Sequence, residues 1–407
     1  MNSSVRALTV YNGELIAAGG FTTAGGVPCN HIASWNGSTW RSLESGTSYA
    51  VWALAVYRGE LIAGGPFTEA GGVVCSYIAR WNSSTWRAVG NGIGVDYPTV
   101  RALMVYDGEL VMGGNFQTAG GAACNNIARR DGGTWQPVGP GMDGTVGALT
   151  GYGGELIAGG YFTTRGGTPA ANIARWNPGA SGHWQPLGDG LSGVVMALTV
   201  YNGELVAGGV FTAAGGVACN RIARWDGSTW HPLGAGVAGG GDPCVSALTV
   251  YNGELIAGGS FVTAGGVPCN YIARWDGASW LPLGSGLSHD SNPAYVHALA
   301  TPPDGTLAVG GTFTRASGRT SAYFARWSCT ICRGDLNCDG VISFDDINPF
   351  VLALSNWTEW RYTYTGCPEQ NADINGDGQY GGLYGFGDIN PFVELLASSG
   401  GYPSTCP

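Results

Sequence analysis

The stretch VSALTVYNGELIAGGSFVTAGGVPCNYIARWDGASWLPLGSG, Val245 to Gly286, is the clearest of seven copies of one sequence unit. Successive copies lie 45 to 52 residues apart. A period in this range, rich in β-branched and aromatic residues, is typical of a propeller or a solenoid. The copies are aligned on a diglycine at Gly19-Gly20, Gly64-Gly65, Gly113-Gly114, Gly159-Gly160, Gly208-Gly209, Gly258-Gly259 and Gly310-Gly311.

Each copy divides into four short strands. The first two, ALTVY and ELIAGG, are joined by a pair such as Asn252-Gly253, which favours a type I′ hairpin turn because both residues accept a positive φ. A second turn of this kind, Asp276-Gly277, joins the third strand to the fourth. Four antiparallel strands in about 48 residues predict one propeller blade.

The unit resembles kelch repeats, in which a diglycine closes the second strand and an aromatic residue and a tryptophan flank a later turn. Here these are Gly258-Gly259, Trp275 and Trp280. The sequence pattern GGxFTxAGGxxxNxIARWDGxxW is still more similar to Rax2-like repeats and to the repeats of many secreted bacterial proteins. The resemblance covers residues 5 to about 327 and implies an all-β, seven-bladed β-propeller of four-stranded blades. The last blade is expected to lack its outer strand, because no TWxPLG follows Trp327.

A charge pattern suggests how neighbouring copies meet. A glutamate begins the second strand in six copies, and an arginine lies near the end of the third strand in six copies. The two exceptions are Thr306 in the last copy and Ser34 in the first. We therefore predict pairs between neighbouring copies, from Glu14–Arg80 to Glu254–Arg326, with Thr306 facing Ser34. The alternative is that the two exceptions are independent end effects.

The tail contains two loops with calcium-ligand spacing. Residues 335–346 read DLNCDGVISFDD, which places oxygen ligands around a sharp glycine turn as in an EF-hand loop. The second loop repeats the start of this pattern, but four inserted residues displace its closing acid. The predicted Ca²⁺ ligands are Asp335, Asn337, Asp339, Val341, Ser343 and Asp346 in the first loop, and Asp373, Asn375, Asp377, Gln379 and Asp388 in the second.

The duplicated loops, each closed by Asp, make residues 333–398 resemble a type I dockerin, a small α-helical calcium-binding module. This resemblance implies attachment to a cohesin-like or cell-surface protein. The positions that commonly contact cohesin hold Phe344-Asp345 and, by alignment, Phe386-Gly387, which departs from the usual Ser-Thr. We also predict a Cys338–Cys367 disulfide, which would tie the first loop to the entry of the second.

Composition and charge limit the possible partners. The chain has 407 residues and a net charge of −10, which argues against nucleic acid. No apolar run is long enough for a membrane helix. The sequence favours two domains, a propeller over 1–327 and a module over 328–407. The opening MNSSVRALTV resembles an internal junction, so we expect a missing upstream piece with a signal peptide and another strand, and an extracellular or cell-surface location.

The cysteines form two groups. Five lie at one equivalent position in five copies, where we expect buried thiols rather than disulfides, because positions related by a blade rotation are usually too far apart to bridge. Those residues are Cys29, Cys75, Cys124, Cys219 and Cys269. Cys244 lies alone in a glycine-rich junction, and five more cysteines lie in the tail.

Sequence favours a binding protein over an enzyme. No Ser/His/Asp set, His metal pair or carboxylate pair stands out, and near-identical copies supply near-identical chemistry around the ring. The junctions between copies vary most, as does the residue after the junction valine: Arg6, Trp52, Arg101, Gly147, Met196, Ser246 and His297. A glycan or protein ligand is therefore expected there, with Asp96, Tyr97, His289, Asp290, Tyr295 and His297 as candidates. The alternative is a polysaccharide-active enzyme carrying a dockerin, either a glycoside hydrolase or a kelch-type oxidase.

Overall fold

The structure of the chain is a computed structural model that describes residues 1–94, 97–165, 168–176 and 183–327, and in the tail 341–342, 347–355, 360, 363, 372, 389 and 404–405. The chain divides into two compact units, Met1–Arg326 and Trp327–Pro407. The first unit is all-β and propeller-like, which confirms the predicted fold class at this level.

The main sheets among the described residues of the first unit are six four-stranded antiparallel sheets and one three-stranded sheet, numbered here from the N-terminus. Their strands are Val5–Tyr11, Glu14–Gly19, Ile32–Trp35 and Trp40–Ser42 in sheet 1; Ala53–Tyr57, Glu60–Gly64, Ile78–Trp81 and Trp86–Ala88 in sheet 2; Thr99–Tyr106, Glu109–Asn115, Ile127–Asp131 and Thr134–Pro137 in sheet 3; Thr145–Tyr152, Glu155–Tyr161, Ile173–Trp176 and Trp184–Pro186 in sheet 4; Val195–Tyr201, Glu204–Gly209, Ile222–Trp225 and Trp230–Pro232 in sheet 5; Val245–Tyr251, Glu254–Gly259, Ile272–Trp275 and Trp280–Pro282 in sheet 6; and Tyr295–Ala300, Leu307–Thr312 and Phe324–Trp327 in sheet 7.

In every sheet, the loop between the second and third strands contains a short hairpin whose two strands are each two residues long. Its strands are Thr23–Ala24 and Val27–Pro28, Glu69–Ala70 and Val73–Val74, Thr118–Ala119 and Ala122–Ala123, Thr164–Arg165 and Thr168–Pro169, Ala213–Ala214 and Val217–Ala218, Thr263–Ala264 and Val267–Pro268, and Arg315–Ala316 and Arg319–Thr320. Three junction strands, Ile93–Gly94, Val237–Ala238 and Leu287–Ser288, add to the hairpin of the following sheet.

The tail has one described helix, Ile347–Ser355, and two short strands, Val341–Ile342 and Ser404–Thr405, which pair antiparallel. The helix begins two residues before Pro349, so this proline lies in the first turn, where no helical partner for its missing N–H is needed.

The Asn-Gly turns behave as their sequence predicts. At the tip of the first hairpin in sheet 6, Asn252 has a φ of 50° and Gly253 a φ of 79°. Two consecutive positive φ values match the right-handed twist of the flanking strands and hold the register Tyr251 opposite Glu254.

The first strands of successive sheets contact one another, and the first strand of sheet 7 contacts that of sheet 1. The ring is therefore closed. Glycine makes this close packing possible: a Cβ added to Gly258 would lie 2.4 Å from Val296 Cγ1 of the next sheet. The same contact recurs at the closure, where a Cβ on Gly310 would lie 2.5 Å from Val5 Cγ1.

The diglycine alignment is one residue out in the first copy. In sheet 6, Gly258 is opposite Ala247, whereas in sheet 1 the residue opposite the corresponding Ala7 is Ala18. The structural equivalent of Gly258-Gly259 is thus Ala18-Gly19, not Gly19-Gly20. The alignment is wrong because it matches glycine to glycine. What the copies share is the position opposite the alanine of the first strand, and that position holds Ala18 in sheet 1.

The predicted Glu–Arg pairs between neighbouring copies are wrong. Five of the six arginines instead pair with the glutamate of their own sheet, because the second and third strands are adjacent and antiparallel. The pairs are Arg80–Glu60 at 3.0 Å, Arg129–Glu109 at 3.3 Å, Arg175–Glu155 at 3.5 Å, Arg224–Glu204 at 2.7 Å and Arg274–Glu254 at 3.1 Å. In sheet 7, Arg326 pairs with Asp304 and bonds to Thr306, and in sheet 1 Glu14 approaches Arg41 at 3.7 Å.

Tryptophan, and not the ion pair, links one sheet to the next. The indole Nε1 of the fourth-strand tryptophan donates to a backbone carbonyl of the preceding sheet. The bonds are Trp86 to Leu43 at 3.0 Å, Trp135 to Val89 at 3.3 Å, Trp184 to Val138 at 2.9 Å, Trp230 to Leu187 at 3.0 Å and Trp280 to Leu233 at 2.9 Å. In sheet 1, Trp40 packs edge-on against Phe324 of sheet 7, with ring centroids 5.2 Å apart.

The repeated cysteines are buried free thiols, as predicted. Cys29, Cys75, Cys124, Cys219 and Cys269 each lie in the core of a sheet, and Cys244 is also buried and free. Burial raises the pKa of the Cys75 and Cys219 thiols to about 11, so these thiols are neutral and unreactive at neutral pH.

Candidate ligand-binding site at the ring axis

A β-bulge near the start of the first strand positions the variable residue of six sheets. In sheet 6, Val245 is opposite Gly259 and Ala247 is opposite Gly258, which leaves Ser246 without a partner. A bulge of this kind turns a side chain away from the regular alternation of a strand. The bulge residues are Arg6, Arg101, Gly147, Met196, Ser246 and His297. In sheet 2, the equivalent Trp52 precedes the first strand and donates its N–H to Gly64.

These seven variable residues line one cavity of about 340 Å³. Since they start the first strands, which contact one another around the ring, the cavity lies at the axis, on the side of the junctions. Its other lining residues are Thr145, Gly160, Tyr161, Val194, Val195 and Tyr295. The cavity is large enough for a small molecule or for one end of a larger ligand.

One sector of this axial cavity is cationic. The Trp52 ring lies beside two guanidinium groups, with Arg6 Cζ 5.6 Å and Arg101 Cζ 5.0 Å from its centroid. Cations are attracted to the face of an indole, so Trp52 holds both arginines at the rim. Among the described residues, no carboxylate lies within ion-pair distance of Arg6 or Arg101.

The two arginines also act on each other. Burial, together with repulsion from the Arg6 charge, lowers the pKa of Arg101 from its usual value. The group remains charged at neutral pH, because arginine starts from a very high pKa. Two cations held close together without a counter-charge create a positive potential that an anionic ligand would relieve.

A polar aromatic cluster from sheets 6 and 7 continues the sector. The rings of Tyr295 and His297 stack at a centroid separation of 4.4 Å, and Tyr295 Oη lies 2.9 Å from Cys244 Sγ. His297 Nε2 lies 3.1 Å from Thr312 Oγ1, and Ser246 Oγ donates to the Val296 carbonyl at 2.5 Å. These contacts fix the orientation of both rings.

Burial decides the protonation of this cluster. It lowers the pKa of His297 to about 4, with a further contribution from the Arg6 charge, so the imidazole is neutral at pH 7. Burial and the neighbouring Cys244 raise the pKa of Tyr295 well above its usual value, so the phenol keeps its proton. The cluster therefore offers neutral hydrogen-bonding groups beside the two cations.

The opposite sector is small and apolar. Gly147 contributes no side chain, Met196 is partly exposed to the cavity, and Val194 and Val195 complete the wall. The cavity is thus chemically asymmetric although the scaffold is repetitive. It suits a ligand with an anionic group at one end and an uncharged or apolar part at the other.

The structure separates the residues predicted for ligand binding. Tyr295 and His297 line the axial cavity, whereas Tyr97 is 91% exposed on a junction loop. Asp290 bonds to Thr314 and pairs with Arg315 at 2.9 Å, and His289 Nδ1 accepts two backbone N–H groups, so both shape their own junction. Asp96 lies outside the described residues.

Sequence reasoning did not select Arg6, Trp52 and Arg101 as site residues. The available signal was their shared position after the junction valine, which was recognised as variable. These three residues form a site because they converge at one end of the ring. They are far apart in sequence, and only the closed ring brings them together.

The predicted metal and disulfide residues cannot be placed in the same way. The calcium loops lie outside the described residues, apart from the backbone of Val341–Ile342, and so do Cys338 and Cys367. Within the described part of the chain, no group of three or more His, Cys, Asp or Glu residues could hold a metal ion. In that same part, no helix is long and apolar enough to cross a bilayer.

Residues 252–275 match a family described as a domain of unknown function (DUF5122) beta-propeller. This match covers the turn of the first hairpin and the second and third strands of sheet 6. No curated protein matches the chain.

The solved structures that are similar to the chain include the following two. The WD40 β-propeller domain of Doa1 is 13% identical, with a TM-score of 0.49 over 80% of this chain and 92% of that one. The computationally designed Ika8 protein is 18% identical, with a TM-score of 0.46 over 81% of this chain and 97% of that one.

Proposed function

We propose that this protein is a secreted, non-catalytic, seven-bladed β-propeller that binds an anionic ligand at its axis and attaches to partners through a calcium-stabilised, dockerin-like tail. The observation that carries the proposal is the convergence of the seven variable residues on one cavity, two of them arginines that have no ion pair among the described residues. Variation on a uniform scaffold is where recognition is expected.

The ligand carries a carboxylate or another oxyanion on a small molecule or at the end of a glycan. Guanidinium groups bind carboxylate oxygens through two parallel hydrogen bonds, which gives both affinity and orientation. Arg6 and Arg101 supply these donors, and the neutral His297 adds no competing charge. The uncharged part of the ligand lies towards Gly147 and Met196.

The same cavity offers little for catalysis. Glycoside hydrolysis ordinarily needs two carboxyl groups across the scissile bond, and the lining of the axial cavity contains neither Asp nor Glu. A histidine with a pKa of about 4 is a weak general base at neutral pH. Both points support binding without turnover.

The tail supplies attachment. Two loops with the same ligand spacing, Asp335 to Asp346 and Asp373 to Asp388, support two Ca²⁺ sites, and a net charge of −8 after Trp327 favours a cation. Calorimetry on residues 328–407 should show calcium binding that a chelator reverses. If no heat of binding appears, the calcium proposal fails while the axial site stands.

Ligand binding is best tested with a matched pair of sugars, glucuronate and glucose, which differ by the carboxylate, beside a glycan array. We expect the full chain to prefer the acidic member, and Arg6→Gln and Arg101→Gln each to weaken its binding by about tenfold or more, since a charge-assisted hydrogen bond contributes about 1.5–3 kcal/mol.

Arg87, an exposed arginine of the fourth strand of sheet 2, provides the control. Arg87→Gln changes the net charge by the same amount as Arg6→Gln and Arg101→Gln, and it should bind glucuronate as the wild type does. Equal binding by all three variants would refute the axial site. Turnover in a glycosidase or oxidase assay, abolished by changing one acid of the propeller, would favour the enzyme instead.

A further inference from the structure

A second cavity, of about 310 Å³, lies between sheets 2 and 3. It is lined by the end of the first strand and the following turn of sheet 2, Tyr57 and Arg58, and by the third strand of sheet 3. These are the turn ends of the strands, whereas the axial cavity is lined by the start of the first strands. The two cavities share no lining residue.

The inter-sheet cavity exists because one copy departs from the repeat. The third strand ends in tryptophan in six copies, and in sheet 3 this tryptophan is replaced by Arg130. In sheet 5 the Trp225 ring fills the space, with Cζ3 3.0 Å from where a Cβ on Gly188 would lie. In sheet 3 it is Arg130 Nη1 that lies 3.3 Å from the equivalent point on Gly90.

A guanidinium group thus occupies the position of an indole edge. It lies over the ring of Trp135, with Cζ 5.7 Å from the ring centroid, in place of the usual tryptophan pair. Its Nη1 is buried and, among the described residues, has no hydrogen-bond acceptor. A buried donor without an acceptor is costly, and so is a charge without a counter-charge.

The charges around the cavity do not balance. Three arginines line it, with Glu60 as the only acid among its lining residues. Glu60 pairs with Arg80 at 3.0 Å, and Asp131 approaches Arg58 at 3.7 Å, which leaves Arg130 as the guanidinium without an ion pair in the described part of the chain. Burial, followed by repulsion from Arg80, lowers the pKa of Arg130.

We propose that this inter-sheet cavity is a second binding site, specific for a small oxyanion such as a phosphate, sulfate or carboxylate group, with Arg130 as its central ligand. An oxyanion accepts several N–H donors at once and supplies the missing negative charge. Arg58 and Arg80 lie on the opposite wall of the same cavity, and Ile62 and Leu110 exclude water from its inner side.

The decisive variant is Arg130→Trp, because it restores the residue present in the other six copies and fills the cavity. It should fold as the wild type does. Arg130→Gln is the second variant, since it removes the charge with a smaller change in shape. Both are made in the full chain carrying Arg101→Gln, which removes the contribution of the axial cavity.

The probe is inorganic phosphate, titrated by calorimetry to about 10 mM, a range that detects dissociation constants near 1 mM. We expect the Arg101→Gln protein to bind phosphate at one site, and both Arg130 variants to lose at least about tenfold in affinity. Arg87→Gln in the same background should bind phosphate unchanged.

Two results would overturn this site. One is unchanged phosphate affinity in Arg130→Trp and Arg130→Gln. The other is no detectable binding of phosphate, sulfate or acetate by the Arg101→Gln protein. If the single Arg101→Gln variant loses glucuronate binding but retains phosphate binding, the axial cavity and the inter-sheet cavity bind their ligands independently.

Discussion

Protonation of His297 should destabilise the propeller at acidic pH. The imidazole stacks on Tyr295, bonds to Thr312 and faces the Arg6 charge, so the folded protein disfavours its charged form. Burial is the main cause and the Arg6 charge the second. In the unfolded chain His297 has the ordinary pKa of about 6.5, so the unfolded chain binds this proton more readily.

The sign and size follow from this difference. Because the folded pKa is lower, the stability that the neutral His297 contributes is present above pH 6.5 and is lost as the pH falls towards about 4. At about 1.4 kcal/mol per pH unit, the loss between pH 7 and pH 4 is about 3 kcal/mol from this one group. The acids of the propeller add their own pH dependence, which a matched variant removes.

His297→Gln is that variant, since glutamine can still bond to Thr312 but does not titrate. Urea unfolding of the wild type and the variant at pH 7, 5 and 4 should show a free energy of unfolding that falls by about 3 kcal/mol more in the wild type. Parallel pH profiles for the two proteins would refute the reasoning.

A direct measurement separates the pKa from its effect on stability. The His297 resonance, identified by its absence in His297→Gln, should titrate near pH 4 in an NMR experiment. Arg6→Gln should move this midpoint upward, because it removes the second cause of the lowered pKa. A midpoint above pH 6 in the wild type would show that the ring is not held in a desolvated site.

Three further predictions concern the contacts that hold the ring. Trp230→Phe should lower the free energy of unfolding by about 1–3 kcal/mol in urea titrations, because it removes the buried indole hydrogen bond to the Leu187 carbonyl, which then keeps only the Gly190 N–H, and part of the packing of the ring; an unchanged midpoint would contradict the link. A double-mutant cycle on Glu204 and Arg224 should give a coupling of about 0.2–1 kcal/mol, as expected of a partly exposed pair; zero coupling would argue against the pair within a sheet. Gly258→Ala should cost about 1–3 kcal/mol by overpacking against Val296, and Val296→Ala should restore part of this loss in thermal unfolding.

The all-β fold could be predicted because its signals are local. Alternating apolar residues and Asn-Gly pairs act within one hairpin, the period near 48 residues corresponds to one sheet, and the structure reproduces all three. The contacts between sheets could not be predicted in this way. Every copy has the same residues, so a pairing within one sheet and a pairing between sheets give the same sequence pattern.

The predicted pairing of Glu204 with Arg274 of the next copy shows this limit, because Glu204 pairs with Arg224 of its own sheet. Loss of the glutamate in the last copy and of the arginine in the first suggested a partnership across copies, whereas Asp304 replaces Glu as the partner of Arg326 in sheet 7. Asp304 lies two residues before Thr306, the position equivalent to the repeated Glu, and supplies the same charge from a different backbone position, a substitution that periodic alignment does not detect.

Only part of the binding site could be predicted from the sequence, again because the contacts that form it depend on the fold. Polar residues such as Asp290 attract attention because they interrupt the repeat, yet Asp290 pairs locally with Arg315. The residues at the axis share a position and not a chemical type. Their common role follows from the bulge. No residue type marks the bulge in the sequence, since Arg6, Gly147 and Ser246 all occupy this position.

The bulge also affects how this protein can change over time. The glycine, valine and tryptophan contacts that bind one sheet to the next do not involve the bulge residue, so a mutation there alters the axis while the ring stays assembled. Recombination between copies can therefore reshuffle the seven axial side chains without loss of folding. Selection can act on ligand preference while the contacts between sheets are kept, and a combinatorial library restricted to these positions would explore new specificities on the same scaffold.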